Sequence, residues 1–242
     1  DVCAYLSYHN SPVSAVSPFT QNLEHDKSVS PFKVIIVDEK GCARYSGLVI
    51  EGVTVQESPT WLKNRLQSIG VRSINNIVDI TNYILHETGQ PLHAFDASEI
   101  KENKVVVKKY AAGTKFTTLD GVERSLQAND LMITDGVKPM CIAGVFGGLQ
   151  SGVKSTTKNI FLESAWFENV HIRKTSVHHG LRTDAATRFE KGVDIANTVK
   201  VLEKAAAMIQ EIAGGKCSKV VDVYPNPAEK VKVTMTFAYL KK

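Results

Sequence analysis

The side chains best suited to chemistry fall in four stretches that are far apart in the chain. In residues 78–96, VDITNYILHETGQPLHAFD, Thr81 and Asn82 are polar positions inside a helical apolar run, and His93 follows a Gly-Gln-Pro break. Glu163 sits in IFLESAWF, flanked by apolar and aromatic residues. A carboxylate with such flanks either lies on an exposed strand face or is buried. If buried it needs a partner, because an unpaired buried charge is very costly, and a ligand hydroxyl would be one such partner. His93 is either a structural histidine or a general base or hydrogen-bond orienter. Gly144, Gly147 and Gly148, in AGVFGGLQSG, either make a turn or let a backbone approach a ligand and offer free N–H groups. Arg182, Thr183, Arg188 and Lys191 gather basic and hydroxyl groups, as a solvated loop or as a contact for a phosphate backbone.

Other chemistries lack their residues. There is no G-x-S-x-G elbow, no H-E-x-x-H, no phosphate loop with its lysine and no dinucleotide fingerprint. The four cysteines, Cys3, Cys42, Cys141 and Cys217, lack the close paired spacing of a zinc site and read as reduced thiols. A metal site is therefore not expected. A net charge of +4 permits a nucleic-acid partner without demanding one. No apolar run approaches the roughly 20 residues that span a bilayer, so no membrane partner is expected. With 242 residues, 43% of them hydrophobic, the chain has enough apolar material for a substantial core. It does not begin with methionine and is expected to be a piece of a longer protein.

The elements that must position these groups read as α+β. Residues 1 to about 32 read as a linker and the tail of a preceding element. Strands are expected at 33–38, 44–55, 104–110, 114–119, 131–134, 139–145, 160–167, 219–223 and 230–237. Ser58 as N-cap with Pro59 at the first position starts one helix, which Gly70 stops. A second runs from about Asn76 to Glu87, with Ile77, Ile80 and Ile84 at helical spacing and Gly89 and Pro91 ending it. A third spans 170–179. Asp194 is expected to cap the clearest, whose face is Ile195, Val199, Leu202, Ala206, Ile209 and Ala213, with Gly214-Gly215 ending it. Residues 181–192 are polar and carry no clear assignment.

Taken together, the motifs at 74–96 (INNIVDITNYILHETGQPLHAFD), 143–153 (AGVFGGLQSGV), 161–167 (FLESAWF) and 178–194 (HHGLRTDAATRFEKGVD) resemble the central editing module of the bacterial phenylalanyl-tRNA synthetase β subunit. The resemblance covers roughly residues 41–224 with the motifs in order. It implies a layered β/β/α sandwich of mixed and antiparallel sheets with helices packed on one side. It implies a linker at 1–40, the editing domain at 41–228 and the start of a further module at 229–242. The implied activity is hydrolysis of tyrosine mistakenly esterified to tRNA specific for phenylalanine. A hydrophobic synthetic pocket rejects an added hydroxyl by only about 10²-fold, whereas a site that must bond that hydroxyl rejects its absence by about 10⁴ or more.

By the same resemblance Glu163 reads the hydroxyl. His93, Asn82 and Thr81 lie at the ester, Gly144 and Gly147 line the pocket, Thr183 and Ala185 form the opposite wall, and Arg72 is at the rim. Hydrolysis would use an activated water, with backbone N–H groups near 144–148 holding the developing oxyanion. No cofactor is implied for the module itself, while ATP and Mg belong to the whole synthetase. The implied partners are the tRNA and the synthetase α subunit in a cytoplasmic α2β2 heterotetramer, with no DNA. The competing expectation is a non-catalytic tRNA- or subunit-binding module whose site has decayed or is incomplete; Glu163, His93 and Asn82 on separate faces, rather than converging on one pocket, would favour it.

Overall fold

The computed structural model describes residues 1–19, 23, 25, 29–229 and 231–241. In chain order the elements begin with α1 (Val2–Tyr8), β1 (Lys33–Ile36), β2 (Cys42–Glu51), α2 (Thr60–Ser68), α3 (Asn76–Thr88) and β3 (Leu92–Asp96). The middle holds β4 (Lys104–Lys109), β5 (Lys115–Thr117), β6 (Glu123–Ser125), β7 (Leu131–Thr134), β8 (Pro139–Ile142), β9 (Phe146–Gly147) and β10 (Asn159–Phe167). Then come α4 (Asn169–His179), α5 (Asp184–Lys191), α6 (Thr198–Ala213), β11 (Lys216–Cys217), β12 (Val221–Val223) and α7 (Phe237–Leu240).

One sheet has the order β1-β4-β7-β8-β9 and is mixed, because β1 runs parallel to β4 while its other pairs are antiparallel. A second, β11-β2-β10-β3 with β12 also on β2, is antiparallel, and β5 and β6 form a separate two-stranded sheet. Successive side chains on a strand point to opposite faces, and this alternation divides the core in two. On β10, Phe161 and Ala165 pack between the sheets, while Ile160 and Leu162 join the core shared with α2, α3 and α6. The helical layer is held by wholly buried residues such as Ile77, Ile80 and Ile84 of α3, each contributing about 1.5–3 kcal/mol by its burial. The expected β/β/α sandwich is thus the observed one. α4 and α5 stand apart from the helical layer, since Ile172, Ala186 and Phe189 belong to the core between the sheets.

Several local expectations need correction. Pro59, not Ser58, is the cap position of α2. The Ser58 hydroxyl instead donates to the buried Asp79 carboxylate, which also accepts from the Ser73 hydroxyl and the Ile74 N–H. Asp194 caps a short 3-10 turn, Ile195–Asn197, and α6 starts one residue later, so Ile195 and Val199 are only partly buried. The unassigned stretch 181–192 contains α5, capped by Thr183. No strand forms at 231–236, and Lys230 lies outside the described residues. Val231, Val233 and Met235 there are exposed and pair with no strand among the described residues, and Phe237 begins α7. Within the stretch read as linker, β1 is an edge strand of the mixed sheet.

Candidate active site

Antiparallel pairing sets Glu163 of β10 directly opposite His93 of β3. Directly opposed residues share a face, here the one between the sheets, where Phe95 and Phe161 also lie. α3 ends at Gly89, whose positive φ of 79° closes the helix and lets residues 89–91 turn the chain back into β3. That turn carries Thr81 and Asn82 on α3 and His93 on β3 to the same opening. A cavity of about 660 Å³ lies there. Its walls are the 78–85 face of α3, His93 and Glu163 of the antiparallel sheet, the 144–147 stretch, and the start of α5.

Of the residues expected at the site, Thr81, Asn82, His93, Gly144, Gly147, Glu163, Thr183 and Ala185 all line this cavity. Arg72 does not. It is exposed on the loop between α2 and α3, two residues from Ile74, which does line the cavity.

Glu163 is 5% exposed. The hydroxyl of Tyr45, itself wholly buried, donates to Glu163 Oε2 at 2.9 Å. Among the described residues nothing bonds the other oxygen, Oε1. Burial pushes the Glu163 pKa up to about 8, with the Tyr45 hydrogen bond pulling the other way. The carboxyl therefore holds its proton at neutral pH and can donate as well as accept. The same burial, together with the charge of Glu163, raises the Tyr45 hydroxyl and the Cys141 thiol well above their usual ranges.

His93 is half-buried as a residue, yet its Nε2 is shut off from solvent and has no hydrogen-bond partner among the described residues. Burial lowers its pKa to about 4, so the ring is neutral at physiological pH. A Cβ on Gly147 would stand 2.9 Å from His93 Cε1 and 2.8 Å from Leu119 Cδ1, so glycine there makes room for the ring. Gly144 has φ of 65°, and a Cβ on it would meet Phe167 and Phe189 at 2.9 Å.

The hydroxyls are partly committed. Thr183 Oγ1 donates to the Val145 carbonyl at 2.9 Å and accepts from the Ala186 N–H at 3.1 Å, fastening α5 to the glycine stretch. Thr81 Oγ1 donates to the Val78 carbonyl of its own helix. The Asn82 amide makes no hydrogen bond among the described residues. In the 144–148 backbone, the Val145 and Gly148 N–H groups are engaged with the Ile142 and Met140 carbonyls. This narrows the donors expected from that stretch.

Tyr45, Cys141, Leu119 and Phe189 take part in the site without having been singled out from sequence. Tyr45 had a faint signal: in β2 it alternates with the residues that face the helices. What it touches depends on the β2–β10 register, which no local pattern states.

The chain belongs to the B3/4 domain family, which it matches over residues 41–214. It is similar to the phenylalanine–tRNA ligase beta subunit of Porphyromonas gingivalis, at 52% identity over 238 residues, covering 98% of this chain and 29% of that protein. The subunit of the same name from Bacteroides fragilis is 48% identical with the same coverage. The chain thus spans less than a third of the length of these relatives. Among solved structures, a crystal structure of an N-terminal fragment of the phenylalanyl-tRNA synthetase beta-subunit from Pyrococcus horikoshii aligns with a TM-score of 0.54 at 13% identity. The alignment covers 90% of this chain and 65% of that one, a likeness of fold. The relatives bear out the resemblance carried by the four motifs.

Proposed function

We propose that this chain is the editing module of a phenylalanine–tRNA ligase β subunit. In this reading it hydrolyses the ester of tyrosine attached to tRNA specific for phenylalanine. The observation that carries the reading is the opposition of Glu163 and His93 in one cavity, with Asn82 unbonded beside them. Had these three lain on separate faces, the non-catalytic reading would have been favoured.

The aromatic ring of the substrate enters the cavity between the α3 face and the start of α5, and its hydroxyl meets the free Oε1 of Glu163. A hydroxyl both donates and accepts, so it pairs with the protonated carboxyl found at neutral pH. Phenylalanine would leave that buried polar atom unpaired, which costs about 1–3 kcal/mol. Neutral His93 and the Asn82 amide orient the attacking water or the ester carbonyl. Gly144, whose N–H has no partner among the described residues, is the backbone donor available to the developing oxyanion. Arg72, outside the cavity, would act at the rim through the tRNA end. The whole ligase, with its α subunit, ATP and Mg, would supply the charging reaction that this module corrects.

Crystals soaked with tyrosine test the recognition half of this proposal. The ring is expected in the cavity with its hydroxyl within hydrogen-bond distance of Glu163 Oε1. Binding of phenylalanine and tyrosine alike, with no contact to Glu163, would sink it.

A further inference from the structure

The basic residues noted in 181–192 remain unused by the cavity, and the fold gives them a setting. The α4–α5 hairpin, residues 169–192, carries five cations, Arg173, Lys174, Arg182, Arg188 and Lys191, against two carboxylates, Asp184 and Glu190. That is a net +3 in 24 residues, out of a whole-chain net of +4. All five cations are exposed, and none makes an ion pair or hydrogen bond among the described residues. By contrast Arg44, Arg124 and Lys204 elsewhere are tied to carboxylates.

The position of these charges matters as much as their number. Arg182 lines the cavity and is exposed, so it stands at the mouth. Asp184, the next charged residue, reaches to 3.7 Å from His86 of α3, so this side of α5 borders the gap between α3 and α5. Arg188 is four residues on from Asp184 and Lys191 three further, which keeps both on that side of the helix. Arg173 and Lys174 continue the charge along α4, which packs directly against α5.

We infer that the α4–α5 hairpin is the docking surface for the phosphodiester backbone of the single-stranded RNA end that carries the ester into the cavity. The inference rests on the editing reading for what enters the cavity, but the surface is defined by its own charges. A single strand fits because the aminoacyl group must reach Glu163 at the closed end of a cavity between two helices. The exposed face offers Val170 and Val177 and, as its only exposed ring, the small imidazole of His178, which is engaged with the Gln127 amide. Binding is therefore through phosphates and is indifferent to base sequence.

The test is binding of a fluorescent single-stranded RNA dodecamer to the 242-residue chain across a salt series, read by anisotropy. In the hairpin variant Arg182, Arg188 and Lys191 are all replaced by Ser. In the control variant Lys158, Lys216 and Lys219 are replaced; these exposed lysines lie by the Glu51–Asn159 end of the antiparallel sheet. Single strands lose about 0.7 in the slope of log K against log salt per phosphate contact removed. The hairpin variant is therefore expected to flatten the slope by about 2, while the control leaves it unchanged. Equal flattening by both variants would overturn the inference, as would the absence of RNA binding by the unaltered chain at low salt. So would hairpin-dependent binding to vesicles of phosphatidylserine and phosphatidylcholine that exceeds binding to RNA. RNA binding is read without hydrolysis, so the two readings fail separately. If Glu163→Ala left ester hydrolysis intact while the hairpin effect persisted, the reading of the cavity would fall and the surface would stand.

Discussion

Replacing Glu163 by Gln should change how stability depends on pH, and the change can be worked out from burial. The Glu163 carboxyl titrates at about 8 in the folded chain against 4.5 when unfolded. The folded state therefore holds this proton more tightly. The stability it contributes is complete below about pH 4.5 and is lost as pH rises toward 8. His93 acts in the opposite sense. Its pKa of about 4 when folded, against 6.5 unfolded, means that stability is complete above 6.5 and is lost as pH falls toward 4. Between about 4.5 and 6.5 the two slopes oppose each other and largely cancel. Above 6.5 only the Glu163 slope remains, at about 1.4 kcal/mol per pH unit. Glutamine keeps an oxygen for the Tyr45 hydroxyl and carries no charge at any pH. Urea unfolding of both proteins at pH 5, 6.5 and 8 reads the difference. The Gln variant is expected to gain on the native protein by roughly 2 kcal/mol between pH 6.5 and 8. Parallel curves over that range would mean that Glu163 titrates as an ordinary surface carboxylate, and the buried-acceptor reasoning would fail.

Three further outcomes follow from the same geometry. Tyr45→Phe removes the donor to Glu163 Oε2 and should lower stability by about 1–3 kcal/mol in urea melts. In steady-state deacylation it should raise KM for a tyrosyl ester more than it lowers kcat; an unchanged KM would detach Tyr45 from recognition. Gly147→Ala places a Cβ against Leu119 and His93 and should cost about 1–3 kcal/mol, together with slower single-turnover hydrolysis. Unaltered hydrolysis would show that the His93 ring position does not matter. His93→Ala should remove the His93 loss of stability between pH 6.5 and 4 and leave the Glu163 slope unopposed, so that in thermal melts the variant gains on the native protein as pH falls; it should also slow the chemical step. A wild-type acid limb in that variant would place the titration elsewhere.

Much of this architecture was legible where signals are local. Asn75 and Gly89 bound α3, and the isoleucines at helical spacing mark its buried face. The apolar run around Glu163 is a central strand, buried on both faces because a sheet covers one side and helices the other. Local reasoning failed where a distant group decides. Ser58 was drawn from its cap to Asp79, a residue 21 positions on. α5 escaped notice because its apolar positions are few, though Thr183 before Asp184, with Ala186 and Phe189 three apart, was a readable start signal. The alternating apolar residues near the end of the sequence imitate a strand but pair with no other among the described residues. The residue types of the site were readable, whereas the pairing of Glu163 with Tyr45 depends on register between strands more than 100 residues apart, as the separation of 118 shows.

The most direct test of the central claim is single-turnover deacylation by the intact ligase, comparing tyrosine and phenylalanine esterified to the same tRNA. The native enzyme is expected to hydrolyse the tyrosyl ester and spare the phenylalanyl ester, and Glu163→Ala is expected to abolish hydrolysis of the tyrosyl ester while phenylalanine activation continues. Tyrosyl-ester hydrolysis at the native rate in Glu163→Ala would contradict the assignment of Glu163 as the reader of the hydroxyl.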